Sequence, residues 1–332
     1  MRKIMKDALA AVILAGIIPS MLFKLAGKTG GPAPDKDEIE TEPPHAATYA
    51  TTDAISDNTD VISVLMPDNT VHILELDTYV TSVVLREMPA TFETEALKAQ
   101  AVVARTYAMR QKTNGSKHEL GAICTDPSCC QGYCSEEEYL SAGGTIENIQ
   151  KIKNAVIGTK GEVLIYNGKL IEATYFSCSG GKTEAAVSVW GSDIPYLQSV
   201  MSPGEEHATH YTDTVTFSAD KFAEKLDLLA TGALDVRIGD IVYTEGGGVK
   251  TIDVSGRSFT GTEVRQRLNL RSTSFVITAV GSTITITTKG FGHRVGMSQY
   301  GADAMAVLGH DYHQILSHYY QGTELQQYEE AD

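Results

Sequence analysis

The apolar positions change period several times along the chain, and each change predicts an element. Residues 8–23 form an apolar run bounded by Lys6 and Lys24. From 27 to 60 no apolar period survives, and Pro32, Pro34, Pro43 and Pro44 interrupt any regular backbone. Patterned sequence begins with β-rich runs at 61–65 and 70–76 around Pro67-Asp68-Asn69, which predicts a hairpin. The next stretch has helical spacing, with Ala96, Gln100, Val103, Ala104 and Tyr107 near one face. It predicts a helix capped by Thr91 or Thr94 and ending at Arg110. A short helix is expected at 148–154. Runs at 162–166 and 169–176 flank Asn167-Gly168, the strongest short hairpin signal. Helices at 218–229 and 261–268, strands at 274–279 and 283–288, and a helical region at 298–308 complete the pattern. Helices and strands interleave without a repeating βαβ unit or fixed-period repeat, so the expected class is α+β.

The N-terminal run follows Arg2, Lys3 and Lys6, which is the arrangement of an export signal. Lys6 and Lys24 can extend its reach by snorkelling, so a retained membrane helix with a cytoplasmic tip is expected over 1–26. A cleaved signal peptide is the alternative. Residues 27–60 then read as a flexible linker, 61–325 as the folded body and 326–332 as an acidic tail. The 332 residues carry 42 acidic against 27 basic side chains, a net charge of −15. That balance argues against a nucleic-acid partner.

Candidate chemistry gathers in a few segments. Glu87 stands in Leu85-Arg86-Glu87-Met88-Pro89, ahead of the long helix. A carboxyl group at a helix entrance among apolar residues can be desolvated, which raises its pKa toward proton donation. The bland alternative is a residue that favours the helix dipole or starts a turn. Lys98 and Arg105 share one side of the helix, with a solvated face as the competing reading. Trp190, the chain's single Trp, is either a sugar-stacking ring or a core residue. His118, Cys124 and Cys130 are spaced by five residues each, and imidazole plus thiolates suits tetrahedral zinc. Cys129 and Cys134 are alternative ligands or, outside the cytoplasm, disulfide partners. Cys178 stands apart from that group. No His-Glu-x-x-His pattern supports a zinc hydrolase.

The helix Glu95-Ala-Leu-Lys-Ala-Gln-Ala-Val-Val-Ala-Arg-Thr-Tyr107, the run Tyr175-Phe-Ser-Cys-Ser-Gly-Gly-Lys-Thr-Glu184 and the run Gly290-Phe-Gly-His-Arg-Val-Gly-Met-Ser-Gln-Tyr-Gly-Ala302 closely resemble the stage II sporulation protein D family. The usual family form has Gly where Arg294 stands. The resemblance covers roughly 60–325 and implies a lytic transglycosylase that cuts peptidoglycan glycan strands. Glu87 would be its acid and base. Lys98, Arg105, Tyr175, Ser177, Ser179, Gly181, Thr183, His293, Ser298, Gln299 and Tyr300 would line the substrate cleft. His118, Cys124 and Cys130 resemble a zinc-binding insertion of clostridial members, where the metal would be structural. The resemblance further implies action from the mother-cell membrane during engulfment, on strands stripped of stem peptides by a partner amidase. Related sequences include amidase enhancers, so a glycan-binding module without catalysis is the alternative function.

Overall fold

The computed structural model describes residues 49–50, 61–118, 122–228 and 236–328. The expected anchor over 1–26 lies outside these residues, as do most of the expected linker and the end of the acidic tail. Among the described residues no helix is long and apolar enough to cross a membrane.

Strands β1 (Tyr49–Ala50), β2 (Val61–Leu65) and β3 (Val71–Glu75) precede helices α1 (Leu76–Glu87) and α2 (Thr94–Asn114). The expected first hairpin is present: β2 and β3 pair antiparallel from Val61↔Glu75 to Leu65↔Val71. Strand β4 (Ile123–Cys124) joins β2 and completes a sheet ordered β1-β3-β2-β4. Helices α3 (Glu136–Ser141) and α4 (Ile146–Ile157) follow. Next comes the hairpin of β5 (Glu162–Tyr166) and β6 (Lys169–Leu170), with both turn residues, Asn167 and Gly168, at positive φ. The expected strand over 169–176 is broken, because only β7 (Tyr175–Phe176) continues it, and in another sheet.

After α5 (Ala186–Trp190) the chain builds a second core. Strand β8 (Thr212–Ser218), helix α6 (Ala219–Lys225) and strands β9 (Ile238–Tyr243), β10 (Val249–Val254) and β11 (Arg257–Thr260) lead to helix α7 (Gly261–Leu268). Strands β12 (Phe275–Val280) and β13 (Thr283–Lys289) close this part as the sheet β12-β13-β8, beside the sheet β11-β10-β9. Ser218 caps α6 by accepting from the Lys221 N–H, and Thr260, which the pattern did not single out, forms a capping box with Glu263. The cap expected for α2 at Thr91 or Thr94 is absent: its N-cap is Glu93, without a side-chain cap bond. Helix α6 stops earlier than the predicted 229, where Asp227 turns to positive φ.

The chain then returns to the first core through β14 (Met297–Ser298), α8 (Gln299–Val307), α9 (Tyr312–Tyr319) and β15 (Glu324–Gln327). Strand β15 pairs with β5, so the ordered body takes in Gln326 and Gln327. The class is α+β, with several small sheets rather than one.

Helix α2 is the axis of the first core. Ala96, Ala99, Ala101, Ala104 and Ala108 are all fully buried. Small side chains on several faces let α1, α4, α8, α9 and β5 pack on it closely. Its N-terminal backbone is anchored by a distant group, since the Asp303 carboxylate accepts the Glu93 N–H at 2.7 Å.

The two cores meet at Arg294, whose backbone adopts φ 68°, the left-handed region that glycine enters without strain. Its guanidinium is buried, and all three of its nitrogens donate hydrogen bonds. It donates to the carbonyls of Ser179, Lys182 and Gly246 at 2.7 Å each and to Glu184 Oε1 at 3.2 Å. Glu184 also accepts from Thr244 Oγ1 at 2.7 Å and from the Gly248 N–H at 2.9 Å. Gly248 precedes β10, so one ion pair ties the run 175–184 to the second core. Arg294→Met should leave a buried carboxylate without its cation and lower stability by about 3–5 kcal/mol. Urea denaturation measures this, and a loss below about 1 kcal/mol would mean that the pair is not needed to join the cores.

Candidate functional site

Glu87 is the last residue of α1, not the entrance of α2 as the sequence pattern suggested. The helix was hidden because Thr78, Val80, Thr81, Val83 and Val84 are β-branched and weak helix formers. Packing on α2 overrides that preference. The carboxyl group is half-buried at the helix C-terminus, the end of partial negative charge.

Four groups bear on it. The Gly132 N–H donates to Oε1 at 2.7 Å, and Arg86, the Tyr175 hydroxyl and the Gln299 amide also favour its charged form. Burial outweighs all four and holds the pKa above the ordinary 4.5. Gly132 leaves room for the carboxyl: a Cβ there would stand 2.6 Å from Glu87 Oε1 and 2.7 Å from Arg86 Cγ, so one of these side chains would have to move. The Gln299 amide nitrogen is buried and makes no hydrogen bond at bonding distance among the described residues. Tyr175 is fixed from behind, where Gln131 donates to its hydroxyl at 3.4 Å while accepting from Tyr79 at 3.1 Å.

Tyr175 and Gln299 reach Glu87 because β7 and β14 pair in parallel, Met297 opposite Tyr175 and Ser298 opposite Phe176. Tyr300 follows, with its ring against Phe92 at 4.9 Å and His207 at 5.5 Å, and its N–H donates to the Ser177 carbonyl. His293 packs against Phe176 and Trp190, at 5.6 and 5.4 Å between ring centroids. Its Nδ1 accepts the Val295 N–H at 3.1 Å, and burial, reinforced by the charge of Arg265, pushes its pKa to about 4. It is therefore a neutral ring near pH 7. Trp190 is 43% exposed, which decides for a surface ring over a core residue.

Other expected cleft residues serve a scaffold. A fully buried carboxylate, Glu205, accepts from Ser179 Oγ at 2.8 Å, the Gly180 N–H at 2.9 Å, Ser202 Oγ at 2.6 Å and Ser298 Oγ at 2.5 Å. Ser179 and Ser298 thus spend their hydroxyls inside the protein. Thr183 is buried too, with its hydroxyl accepting the Val200 N–H at 2.8 Å. Gly181, at φ 113°, donates its N–H to Ser179 Oγ. Glu205 had no signal in the sequence, because Ser202-Pro-Gly-Glu-Glu206 reads as a polar turn.

Arg105 is corrected from cleft to core. It is fully buried, donating to the carbonyls of Thr159 at 2.7 Å and Val156 at 3.1 Å and to Asp77 Oδ1 at 3.2 Å. Lys98 turns the same way, pairing with Glu95 at 2.8 Å and lying over the Tyr312 ring. Neither has a bond to the groups around Glu87.

The cysteine segment folds back beside this site. The ligand atoms of His118, Cys124, Cys129 and Cys130 lie within 4.8 Å of one another, so the expected trio gains Cys129 as a fourth member. His118 Nε2 is 3.4 Å from Cys129 Sγ and 3.5 Å from Cys130 Sγ. Metal–ligand bonds of about 2.0–2.3 Å in a tetrahedron imply such separations, and three thiols with one imidazole form a coherent donor set for a metal ion. All five cysteines are free thiols. Cys134 points elsewhere, toward the Ser135 carbonyl, and Cys178 lies against Glu205. Gln131 and Gly132, which support Tyr175 and Glu87, directly follow Cys130.

Comparison with known proteins gives the lineage. A family model described as stage II sporulation protein matches residues 68–166. The chain is 43% identical to "Stage II sporulation protein D" of Bacillus amyloliquefaciens over 263 residues, 78% of this chain and 76% of that one. It is 43% identical to the protein of the same name from Bacillus subtilis, over 76% and 74% of the two chains. An "Amidase enhancer" of Bacillus subtilis is 33% identical over 74% of this chain and 40% of its own length. On these alignments the chain belongs to the stage II sporulation protein D family.

Proposed function

We propose that the protein is a lytic transglycosylase that cleaves peptidoglycan glycan strands between N-acetylmuramic acid and N-acetylglucosamine. The observation that carries this reading is the Glu87 carboxyl, half-buried and held above its ordinary pKa while ringed by hydrogen-bond donors. Protonated, Glu87 gives its proton to the glycosidic oxygen as the bond to C1 breaks and oxocarbenium character develops. The resulting carboxylate takes the proton of the muramic acid C6 hydroxyl, and O6 bonds to C1 to form a 1,6-anhydro ring. No water is consumed, and Glu87 ends as it began.

The groups around Glu87 are an amide N–H, a guanidinium, a phenol and a side-chain amide, with no second carboxylate among them. Glycosidases that hydrolyse ordinarily use two. Exposed Trp190 against neutral His293 supports a sugar-stacking wall. The family resemblance supports strands stripped of stem peptides as substrate and an amidase as partner. It also supports action during engulfment from the mother-cell membrane, with the N-terminal apolar run as anchor. The similarity to an amidase enhancer favours a second reading, a glycan-binding protein that stimulates another enzyme.

His118, Cys124, Cys129 and Cys130 would hold zinc as a structural ion that keeps the loop in place. The purified protein should carry about one zinc per chain by elemental analysis. Cys129→Ser should lose the metal or bind it much more weakly, whereas Cys134→Ser should retain it. Equal retention by both would remove Cys129 from the ligand set.

Mass spectrometry of denuded strands after incubation with the protein tests the reaction. Products ending in 1,6-anhydro-muramic acid are expected, reduced roughly 10²–10⁴-fold by Glu87→Gln. Reducing ends would indicate hydrolysis, and intact strands with a stimulated amidase would favour the second reading. The donating form of Glu87 is the protonated one. Cleavage should therefore fall as pH rises through its raised pKa, at a pH above the ordinary 4.5. A pH–rate profile whose fall begins below 4.5 would take Glu87 out of the donor role.

A further inference from the structure

Arg86 stands immediately before Glu87 in the last turn of α1 and is exposed. The two side chains flank the same backbone, since a Cβ on Gly132 would meet Glu87 Oε1 and Arg86 Cγ at nearly the same distance. Among the described residues Arg86 enters no ion pair, whereas Lys98, Arg105 and Arg110 on α2 each have an acidic partner. The guanidinium acts electrostatically on the Glu87 carboxyl and on the Cys134 thiol. It stabilises the charged form of Glu87, which works against proton donation. Exposed and, among the described residues, without an ion pair, the guanidinium is available to an anion that arrives with the substrate.

Resting on the transglycosylase reading, we propose that Arg86 recognises the free lactyl carboxylate of the muramic acid bound at Glu87. The lactyl ether is carried by the ring whose C1 reacts, so that carboxylate is delivered beside Glu87. A protein of net charge −15 repels an anionic strand in general, and a local cation is needed to seat it. Guanidinium recognises carboxylate through paired N–H donors. A stem peptide converts the carboxylate into an amide, which removes the charge and adds bulk. Arg86 thus prefers stripped strands through chemistry at a single atom group. When the carboxylate occupies Arg86, the guanidinium no longer favours ionised Glu87, and substrate binding itself promotes the donor form.

The test compares free-carboxylate strands with the same strands converted to methylamides. Binding is measured with Glu87→Gln protein, so that it does not require cleavage, and KM and kcat are measured with Glu87 intact. Arg86 present, the free-carboxylate strands should bind about five- to tenfold more tightly than the amides, and the difference should shrink with salt. Arg86→Gln should erase the preference through binding and KM, and Arg86→Lys should restore part of it. Equal binding of both strands to protein with Arg86, no binding of either, or an undiminished preference in Arg86→Gln would overturn the proposal. Hydrolytic or absent cleavage with the binding preference intact would instead overturn the transglycosylase reading alone.

Discussion

The site depends on two buried carboxylates that draw together segments more than a hundred residues apart. Glu205 gathers the hydroxyls of Ser179, Ser202 and Ser298, and Glu184 holds Arg294. Burying a carboxylate is costly unless its oxygens meet donors: both oxygens of Glu205 do, and Oε1 of Glu184 takes three, from Arg294, Thr244 and Gly248. Neither segment has a satisfactory interior without the other. The parallel pairing of Met297–Ser298 with Tyr175–Phe176 follows from this, and it brings Tyr175 and Gln299 to Glu87. The many hydroxyl-bearing and glycine residues of these runs therefore belong to the scaffold at least as much as to the cleft surface.

Glu87 is subject to opposed effects, of which burial is the larger. Burial pushes its proton affinity up, while the Gly132 N–H, Arg86, Tyr175 and Gln299 pull it down. A carboxyl used first as acid and then as base needs both influences, because either alone would fix one protonation state. The Gly132 N–H is a fixed backbone dipole, whereas Gln299 acts on the carboxyl through a buried side-chain amide that is longer-reaching and adjustable.

Much of this was legible in the sequence. The helix over 94–110, the Asn167-Gly168 hairpin, the cap at Ser218 and the grouping of His118, Cys124 and Cys130 each follow from local rules. What stayed hidden is non-local. Helix α1 contradicts its own propensity and exists because α2 offers an alanine-rich surface. Arg105 has the spacing of a solvated helix face, yet it donates to carbonyls from the end of α4 and the turn beyond, which no local pattern reveals. Glu205 reads as part of a polar turn until its partners, 26 and 93 residues away, are known. Arg294, where the family resemblance implies glycine, keeps the backbone conformation that glycine favours.

Arg294 and Gly132 illustrate one principle from opposite directions. At 294 a large side chain accepts an unfavourable φ because its guanidinium completes a buried network that glycine could not reach. At 132 a side chain would come at the expense of the site, because any Cβ would displace the Glu87 carboxyl or Arg86. Gly132 lies two residues past Cys130, and Gln131 between them is clamped by Tyr79 and Tyr175. The backbone therefore has little freedom to absorb a shift of the cysteine cluster without moving the N–H that faces Glu87. The position of Cys130 and the N–H that favours the charged form of Glu87 are thus joined by two residues of clamped chain.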